Sequence, residues 1–155
     1  MVRLNSAQIA ARLPQANPFL FVETAELSEQ GARGSYYFRG TECFMPGHFP
    51  QRPIFPASLM MEALGQLAIL WMVERYQIEG LNQESIFFIK SEDVQCRRQC
   101  ILGDTLDLSV QMLRSREPLI QFAGTIEVAG ERALKVNTFS LSFSTSPESN
   151  LNLSE

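Results

Sequence analysis

The chain has 155 residues, of which 45% are hydrophobic, and this length suits one domain with a single core. Its formal net charge is -4 and its 13 lysines and arginines are spread thinly, which argues against a nucleic-acid partner. Three cysteines, an odd number, and a start without an apolar leader lead us to expect a reduced protein of the cytoplasm.

The first third of the chain predicts short elements separated by breakers. A helix over residues 6–13 begins with Ser6 as its cap and ends at the prolines that follow. In chain order, the next elements are a strand over residues 19–25, a turn marked by Gly31 and Gly34, and an aromatic-rich strand over residues 35–39.

One long helix is the clearest element of the sequence. Pro56 suits a first helical position, and the helix formers that follow it extend to about Tyr76. This segment is apolar on nearly every face, so we expect the helix to be buried all round. Glu62, Gly65 and Gln66 interrupt its apolar run, and we therefore expect no membrane span.

After the helix, the period of the apolar residues changes to that of strands. The predicted strands are a buried one over residues 86–89, two alternating ones over residues 106–112 and 120–128, and a last one over residues 134–143. The last strand changes phase near Asn137 and Thr138, which predicts a bulge. We expect one domain over residues 1–145 and a flexible polar tail over residues 146–155.

These elements predict an α+β fold, in which a curled antiparallel sheet of five to six strands wraps around one long apolar helix. A sheet of this kind leaves an exposed edge strand. Pairing of two such edges in a symmetric dimer covers them, so we expect a homodimer.

The single histidine and the single acid of the apolar run over residues 54–73 form the candidate site. His48 lies in a glycine- and proline-rich loop just before the helix, and histidine titrates nearest neutrality of all side chains. A carboxyl group in apolar surroundings keeps its proton more readily, so His48 and Glu62 are suited to exchange protons with a substrate in an apolar pocket. Gln66 lies four residues after Glu62 and can orient its carboxyl group. A turn histidine and a satisfied core pair are the alternatives.

The cysteines do not indicate a metal site. Cys96 and Cys100 are possible ligands together with His48, but the chain has no second Cys or His pair at zinc spacing. We therefore expect neither a metal nor another cofactor.

Three segments resemble a known family. They are Leu13-Pro-Gln-Ala-Asn-Pro-Phe-Leu-Phe-Val22, Gly47-His-Phe-Pro50 with Arg52-Pro53, and Pro56-Ala-Ser-Leu-Met-Met-Glu-Ala-Leu-Gly-Gln66. Across residues 10–144 the chain resembles the hot-dog fold 3-hydroxyacyl-(acyl carrier protein) dehydratases of fatty acid synthesis. The most specific part is the His-Phe-Pro loop followed, in register, by the Glu and Gln of the helix.

The resemblance implies a role for each matching residue. His48 matches the catalytic histidine of the family, Glu62 its catalytic acid, and Gln66 the amide that supports the acid. In the family, the histidine and the acid of one site come from two subunits. Ala57 matches the position whose backbone N–H meets the thioester carbonyl. The implied reaction removes water from a 3-hydroxyacyl thioester, carried by acyl carrier protein or coenzyme A, and yields the trans-2-enoyl thioester.

Further residues near the helix start are candidates for substrate contacts. Ser58 would cap the helix or contact substrate, and Phe49 and Phe55 would help to wall an acyl tunnel. Gln51 and Ala57 stand where the family usually has glycine. Two other functions therefore stay open, namely a hot-dog thioesterase and a non-catalytic acyl-binding dimer.

An acidic acyl carrier protein would be expected to dock on a basic patch. The candidate arginines for this patch are Arg52, Arg97, Arg98, Arg114 and Arg116. Ordinary solvated arginines are the alternative. We also expect the assembly to be either a homodimer or a larger assembly of dimers.

Overall fold

An antiparallel sheet and one long helix make up most of residues 1–78 and 86–143, the part of the chain that the computed structural model describes. The elements are β1 (Val2–Leu4), α1 (Ser6–Ala10), β2 (Thr24–Leu27), β3 (Gly31–Tyr37), α2 (Ala57–Tyr76), β4 (Ile86–Cys96), β5 (Thr105–Arg116), β6 (Leu119–Val128) and β7 (Glu131–Phe143). Within these residues, seven strands form one antiparallel sheet in the order β1-β2-β3-β5-β6-β7-β4. The seventh strand, β1, was not predicted because three residues are too few to show alternation. The tail predicted over residues 146–155 lies outside the described residues.

Helix α2 forms the centre of the core, as predicted, and begins one residue later than predicted, with Pro56 as its N-cap. Residues 63–72 are all buried, and the helix packs against β2, β3, β5, β6 and β7. The prediction of burial all round is wrong at both ends of the helix. Ala57 and Ser58 at its start and Arg75 at its end are exposed, and Glu62 is half-buried. Length and composition alone would allow α2 to span a membrane, but most of its apolar stretch is buried inside the fold.

The alternation predicted for the C-terminal strands is confirmed. The buried side chains on β5, β6 and β7 include Leu106, Leu108, Val110, Ile120, Phe122, Ile126, Leu134 and Val136. The predicted change of phase in β7 is also present. Phe122 pairs with Phe139 and Gly124 with Val136, so β7 advances three residues where β6 advances two. The extra residue lies at positions 137–138 and forms the expected bulge.

The first helix differs from its prediction. Helix α1 ends at Ala10, and its cap is Asn5 rather than Ser6. The Asn5 side chain accepts a hydrogen bond from the backbone N–H of Gln8, while the Gln8 side chain accepts one from the N–H of Asn5. Ser6 instead donates its hydroxyl to the carbonyl of Glu23, which joins α1 to the chain before β2.

The strand predicted over residues 19–25 begins only at Thr24. Before it, the Phe21 N–H and the Phe19 carbonyl bond to the side-chain amide of Gln66 on α2. A side chain from the core therefore takes the place of a neighbouring strand. The local sequence pattern carries no sign of such a partner.

The turn predicted at Gly31 and Gly34 is wrong, because both glycines lie in β3, which ends at Tyr37. A Cβ atom on Gly34 would stand 2.5 Å from the carbonyl oxygen of Thr24 and 3.2 Å from Cδ1 of Leu67. Glycine at position 34 therefore lets β3 approach both β2 and helix α2 closely.

Strand β4 is longer and more exposed than the buried strand predicted over residues 86–89. It lies at the edge of the sheet and pairs only with β7 among the described strands. Every residue of β4 after Ile86 is exposed. Its large apolar side chains, Phe87, Phe88, Ile89 and Val94, are each 40–48% exposed. A long apolar edge of this kind is suited to pair with another chain.

Candidate active site

The loop between β3 and α2 holds His48 by its backbone. The Ile54 N–H donates to the His48 carbonyl over 3.0 Å, and the Ile54 carbonyl lies 2.8 Å from His48 Nδ1. A second pair of backbone hydrogen bonds joins Phe49 and Arg52 within the same loop. Since a carbonyl oxygen can only accept, the neutral imidazole must carry its proton on Nδ1. Its Nε2 atom therefore presents a lone pair, as a general base requires.

The imidazole ring of His48 also stacks on Phe49, with ring centroids 4.4 Å apart and an angle of 21° between the planes. His48 is half-buried, whereas Phe49 is 53% exposed. One face of the histidine is therefore covered by an aromatic ring that itself lies on an open surface. Phe49 is thus placed where a substrate chain or a second protein chain can reach it.

The other end of the loop is anchored in an aromatic cluster. Phe55 is 1% exposed and contacts four aromatic rings, with centroid distances of 5.2–5.9 Å. Those rings belong to Phe21, Tyr36, Phe38 and Phe44. The Phe55 N–H donates to the Cys100 carbonyl over 2.9 Å. In this chain Phe55 therefore fixes the loop from within the core rather than lining an open surface.

Glu62 lies on the second turn of α2, and its carboxyl group is held through one oxygen. The side-chain amides of Gln66 and Gln15 both donate to Glu62 Oε1, over 2.9 and 3.1 Å. Gln66 comes from the same helix, one turn later, and confirms the contact expected from the spacing. Gln15 comes from the segment between α1 and β2. No hydrogen bond to Oε2 occurs within the described residues.

Gln66 is fully buried, and every hydrogen-bonding atom of its amide has a partner. Its oxygen accepts from the Phe21 N–H over 2.8 Å, and its nitrogen donates to the Phe19 carbonyl over 3.0 Å as well as to Glu62. These partners leave only one orientation of the amide group. The direction of the hydrogen bond to Glu62 is therefore fixed.

The first turn of α2 presents exposed backbone. Ala57 and Ser58 are both exposed, and the first N–H groups of a helix have no intrahelical partner. The next two N–H groups, of Leu59 and Met60, both donate to the Pro56 carbonyl. The Ala57 N–H thus points from a helix N-terminus, where the dipole favours negative charge on an oxygen. Gln51 lies nearby in sequence, exposed in the His48 loop.

The structure does not join His48 and Glu62 within one chain. Among the described residues the two side chains share no hydrogen bond, and each belongs to its own group of partners. The His48 group depends on Ile54 and the Glu62 group on Gln15 and Gln66. The described residues also contain no group of three or more His, Cys, Asp or Glu side chains suited to hold a metal ion.

Gln15 is the site residue that the sequence reasoning did not single out. It lies within the first of the three segments that resemble the family, but its contact with Glu62 spans 47 positions of the chain. Its position in that segment was the only feature of the sequence that could have indicated a role for Gln15 in the site.

A seven-stranded antiparallel sheet with one apolar helix, a histidine loop before that helix and an acid on its second turn is the arrangement that the resemblance to hot-dog dehydratases implied. The family model of the FabA-like domain matches residues 13–137. The chain therefore belongs to the family of FabA-like domains, as the resemblance implied.

Named relatives agree with this family. The chain is 33% identical over 141 residues to the 3-hydroxyacyl-[acyl-carrier-protein] dehydratase FabZ of Bacillus subtilis. This match covers 89% of this chain and 98% of the relative. It is 29% identical over 147 residues to FabZ of Caulobacter vibrioides, covering 94% of this chain and 92% of the relative.

Solved structures confirm the predicted hot-dog fold. The dehydratase heterocomplex ApeI:P from Xenorhabdus doucetiae matches with a TM-score of 0.77 at 16% identity, over 90% of this chain and 93% of that chain. The virulence protein Cj0977 from Campylobacter jejuni matches with a TM-score of 0.64 at 15% identity, over 91% of each chain.

Proposed function

We propose that this protein is a 3-hydroxyacyl-[acyl-carrier-protein] dehydratase of fatty acid or related acyl-chain biosynthesis, acting in the cytoplasm. It removes water from a 3-hydroxyacyl thioester and yields the trans-2-enoyl thioester. The observation that carries this proposal is the contact of His48 Nδ1 with the Ile54 carbonyl, which leaves Nε2 as a base. The curated FabZ relatives support the same reaction.

The first half of the reaction removes a proton from C2 of the acyl chain. The thioester carbonyl accepts a hydrogen bond from the Ala57 N–H at the start of α2, and this polarisation makes the C2 proton more acidic. His48 Nε2 takes that proton and becomes imidazolium. The electron pair left on C2 forms the new double bond to C3.

The second half breaks the bond between C3 and its hydroxyl oxygen. Glu62 supplies a proton from Oε2 to the departing hydroxyl, directly or through a water molecule, so that water leaves. The proton on His48 then returns to the Glu62 carboxylate through solvent. No net charge or electron is gained by the protein, and no cofactor takes part in this scheme.

We further propose that each site takes His48 from one protomer and Glu62 from its partner in a homodimer. The separate hydrogen-bonded groups of the two side chains support this arrangement, because the described residues of one chain contain no hydrogen bond between them. The exposed apolar edge of β4 supports a dimer in which the two sheets join.

An acyl carrier protein is the carrier that we propose for the thioester, and its negative charge would meet basic side chains. Of the candidate arginines, Arg98 already pairs with Asp104 at 3.5 Å and Glu131 at 3.3 Å. Arg52 bonds to the uncharged Gln99. Arg97 likewise bonds to the uncharged Gln95. Arg52 and Arg97 are therefore better candidates for docking than Arg98, since these contacts do not neutralise their charge.

The test is an assay of the purified protein with a short 3-hydroxyacyl thioester and, in the reverse direction, its trans-2-enoyl partner. Absorbance and mass detect the product. We expect turnover by the wild type and a loss of about 100-fold or more in both His48→Ala and Glu62→Gln. Glu74→Gln, which changes an acid on the same helix outside the site, is the matched control and should retain activity.

Two other outcomes would identify the alternative functions. Release of free thiol, with His48→Ala still active, would indicate a thioesterase. Binding of the acyl thioester without any product would indicate an acyl-binding dimer. The loss of activity would then be attributed to Gln51 and Ala57, which replace the glycines usual in the family.

A further inference from the structure

Two amide groups, not one, hold the carboxyl group of Glu62. Gln66 donates from the same helix and Gln15 from the segment between α1 and β2, and both donate to Oε1. A contact from within the helix restrains the side chain at one point. A second donor from another segment adds a restraint that the helix cannot supply, because it fixes the rotation of the carboxyl plane.

The choice of oxygen has a chemical consequence. In a protonated carboxyl group, the carbonyl oxygen is the better acceptor and the other oxygen carries the proton. Two N–H donors on Oε1 therefore make Oε1 the carbonyl oxygen. The transferable proton is placed on Oε2, which has no partner within the described residues.

The orientation of Gln15 itself fits this arrangement. With its nitrogen on Glu62, its own oxygen is buried and has no hydrogen-bond partner in the part of the chain that the structure describes. The opposite orientation would set the amide oxygen against Glu62 Oε1, with two acceptors facing each other unless the acid carried its proton there. The hydrogen bond to Glu62 thus sets the orientation of the Gln15 amide, which has no other hydrogen bond within the described residues.

We propose that Gln15 is a positioning residue for the acid of the dehydration, which directs the proton of Glu62 to Oε2. This inference rests on the proposed function and adds a residue to it. Gln15 does not touch the reacting atoms. Its effect therefore appears in kcat rather than in substrate binding.

The test compares Gln15→Leu, which keeps a similar volume without the donor, with Gln15→His, which restores an N–H donor at this position. We expect Gln15→Leu to lower kcat by roughly 10- to 100-fold with little change in KM. Gln15→His should recover most of the lost kcat. Gln111→Leu, at an exposed glutamine of β5, is the matched control and should match the wild type.

A loss of stability alone would give a different result. If kcat per folded molecule were unchanged in Gln15→Leu, or if Gln15→His were as impaired as Gln15→Leu, the inference would be wrong. The folded fraction is measured for each variant by circular dichroism.

A second measurement does not need activity. Denaturation of Gln15→Leu, Glu62→Leu and the double variant gives the coupling between the two side chains, because each single change removes the hydrogen bond. If the wild type catalyses no dehydration, the proposed function fails, whereas absence of coupling overturns the Gln15 inference itself. Coupling together with the kcat loss supports it.

Discussion

At the scale of single residues, Gln66 shows how one buried amide serves both stability and chemistry. A buried amide without partners destabilises a fold by about 1–3 kcal/mol, so each of its hydrogen bonds to Phe19, Phe21 and Glu62 matters. The spacing in the helix predicted the contact with Glu62. It did not predict the contacts with the backbone before β2, because these join parts of the chain 45 and 47 positions apart.

Cys100 makes the stability of the protein sensitive to alkaline pH. Burial raises the pKa of its thiol from 9.0 to about 11, and Asp104 adds to the shift. The unfolded chain therefore releases this proton near pH 9, while the folded chain keeps it until about pH 11. The stability is complete below pH 9 and is lost as the pH rises toward 11. Between about pH 8 and about pH 10.5, we expect the release of the Cys100 proton to lower the free energy of unfolding by about 2 kcal/mol.

Urea denaturation at about pH 8 and about pH 10.5 checks this expectation. Cys100→Ala should lose less stability between the two pH values than the wild type, and Cys43→Ala, at an exposed cysteine, should behave as the wild type. Tyr36, whose pKa is also raised by burial and by Glu42, affects all three proteins alike. Equal losses in Cys100→Ala and the wild type would contradict the prediction.

At the scale of elements, β4 is the strand through which we propose that two chains pair. Its outer edge has no partner strand among the described residues and its apolar side chains are exposed, so a charge there should prevent edge pairing. We expect Val94→Lys to remain folded but to sediment as a monomer, and to lose dehydratase activity. Leu113→Lys, at a side chain of β5 that is 50% exposed and lies away from the edge, should stay dimeric and active. A dimeric Val94→Lys at the concentration where the wild type is dimeric would argue against β4 as the interface.

The same strand shows the limit of periodicity as a guide to burial. Alternation along β5, β6 and β7 predicted the correct inward face, because those strands are covered by α2 of the same chain. The apolar residues of β4 led to a prediction of burial that a single chain does not fulfil. A pattern reports that a face is apolar, but it does not report which element, or which chain, covers that face.

At the scale of the whole molecule, the proposed dimer makes a prediction about mixed chains. A dimer of one His48→Ala chain and one Glu62→Gln chain holds one site with both groups intact, provided that each site draws on both chains. Random reassembly of equal amounts should therefore restore about a quarter of wild-type activity, since half of the dimers are mixed and each has one of two sites. The measurement is the activity of the two inactive variants after joint unfolding and refolding.

The control for this experiment is the same mixture combined without unfolding. It should remain inactive at first, for as long as the dimers do not exchange chains. If the refolded mixture also stayed inactive while containing mixed dimers, both groups of a site would have to come from one chain.

The motifs around His48 and Glu62 were sufficient to predict the family and the fold, because they lie close together in sequence. The partners that orient the two side chains were harder to predict. Gln15 reaches Glu62 from a distant segment, and the partner of His48 is a main-chain carbonyl, which every residue type provides.

That last contact has a consequence for comparisons among relatives. The imidazole is oriented by the backbone of residue 54, so the tautomer does not depend on the side chain at that position. Since Ile54 is buried, an alignment at position 54 would report the packing of its side chain and not the peptide groups that set the state of the base. Proline is the exception, because it lacks the N–H that bonds to the His48 carbonyl. The contact that prepares this histidine for proton transfer therefore depends on the backbone conformation of the loop, not on the identity of the side chain at position 54.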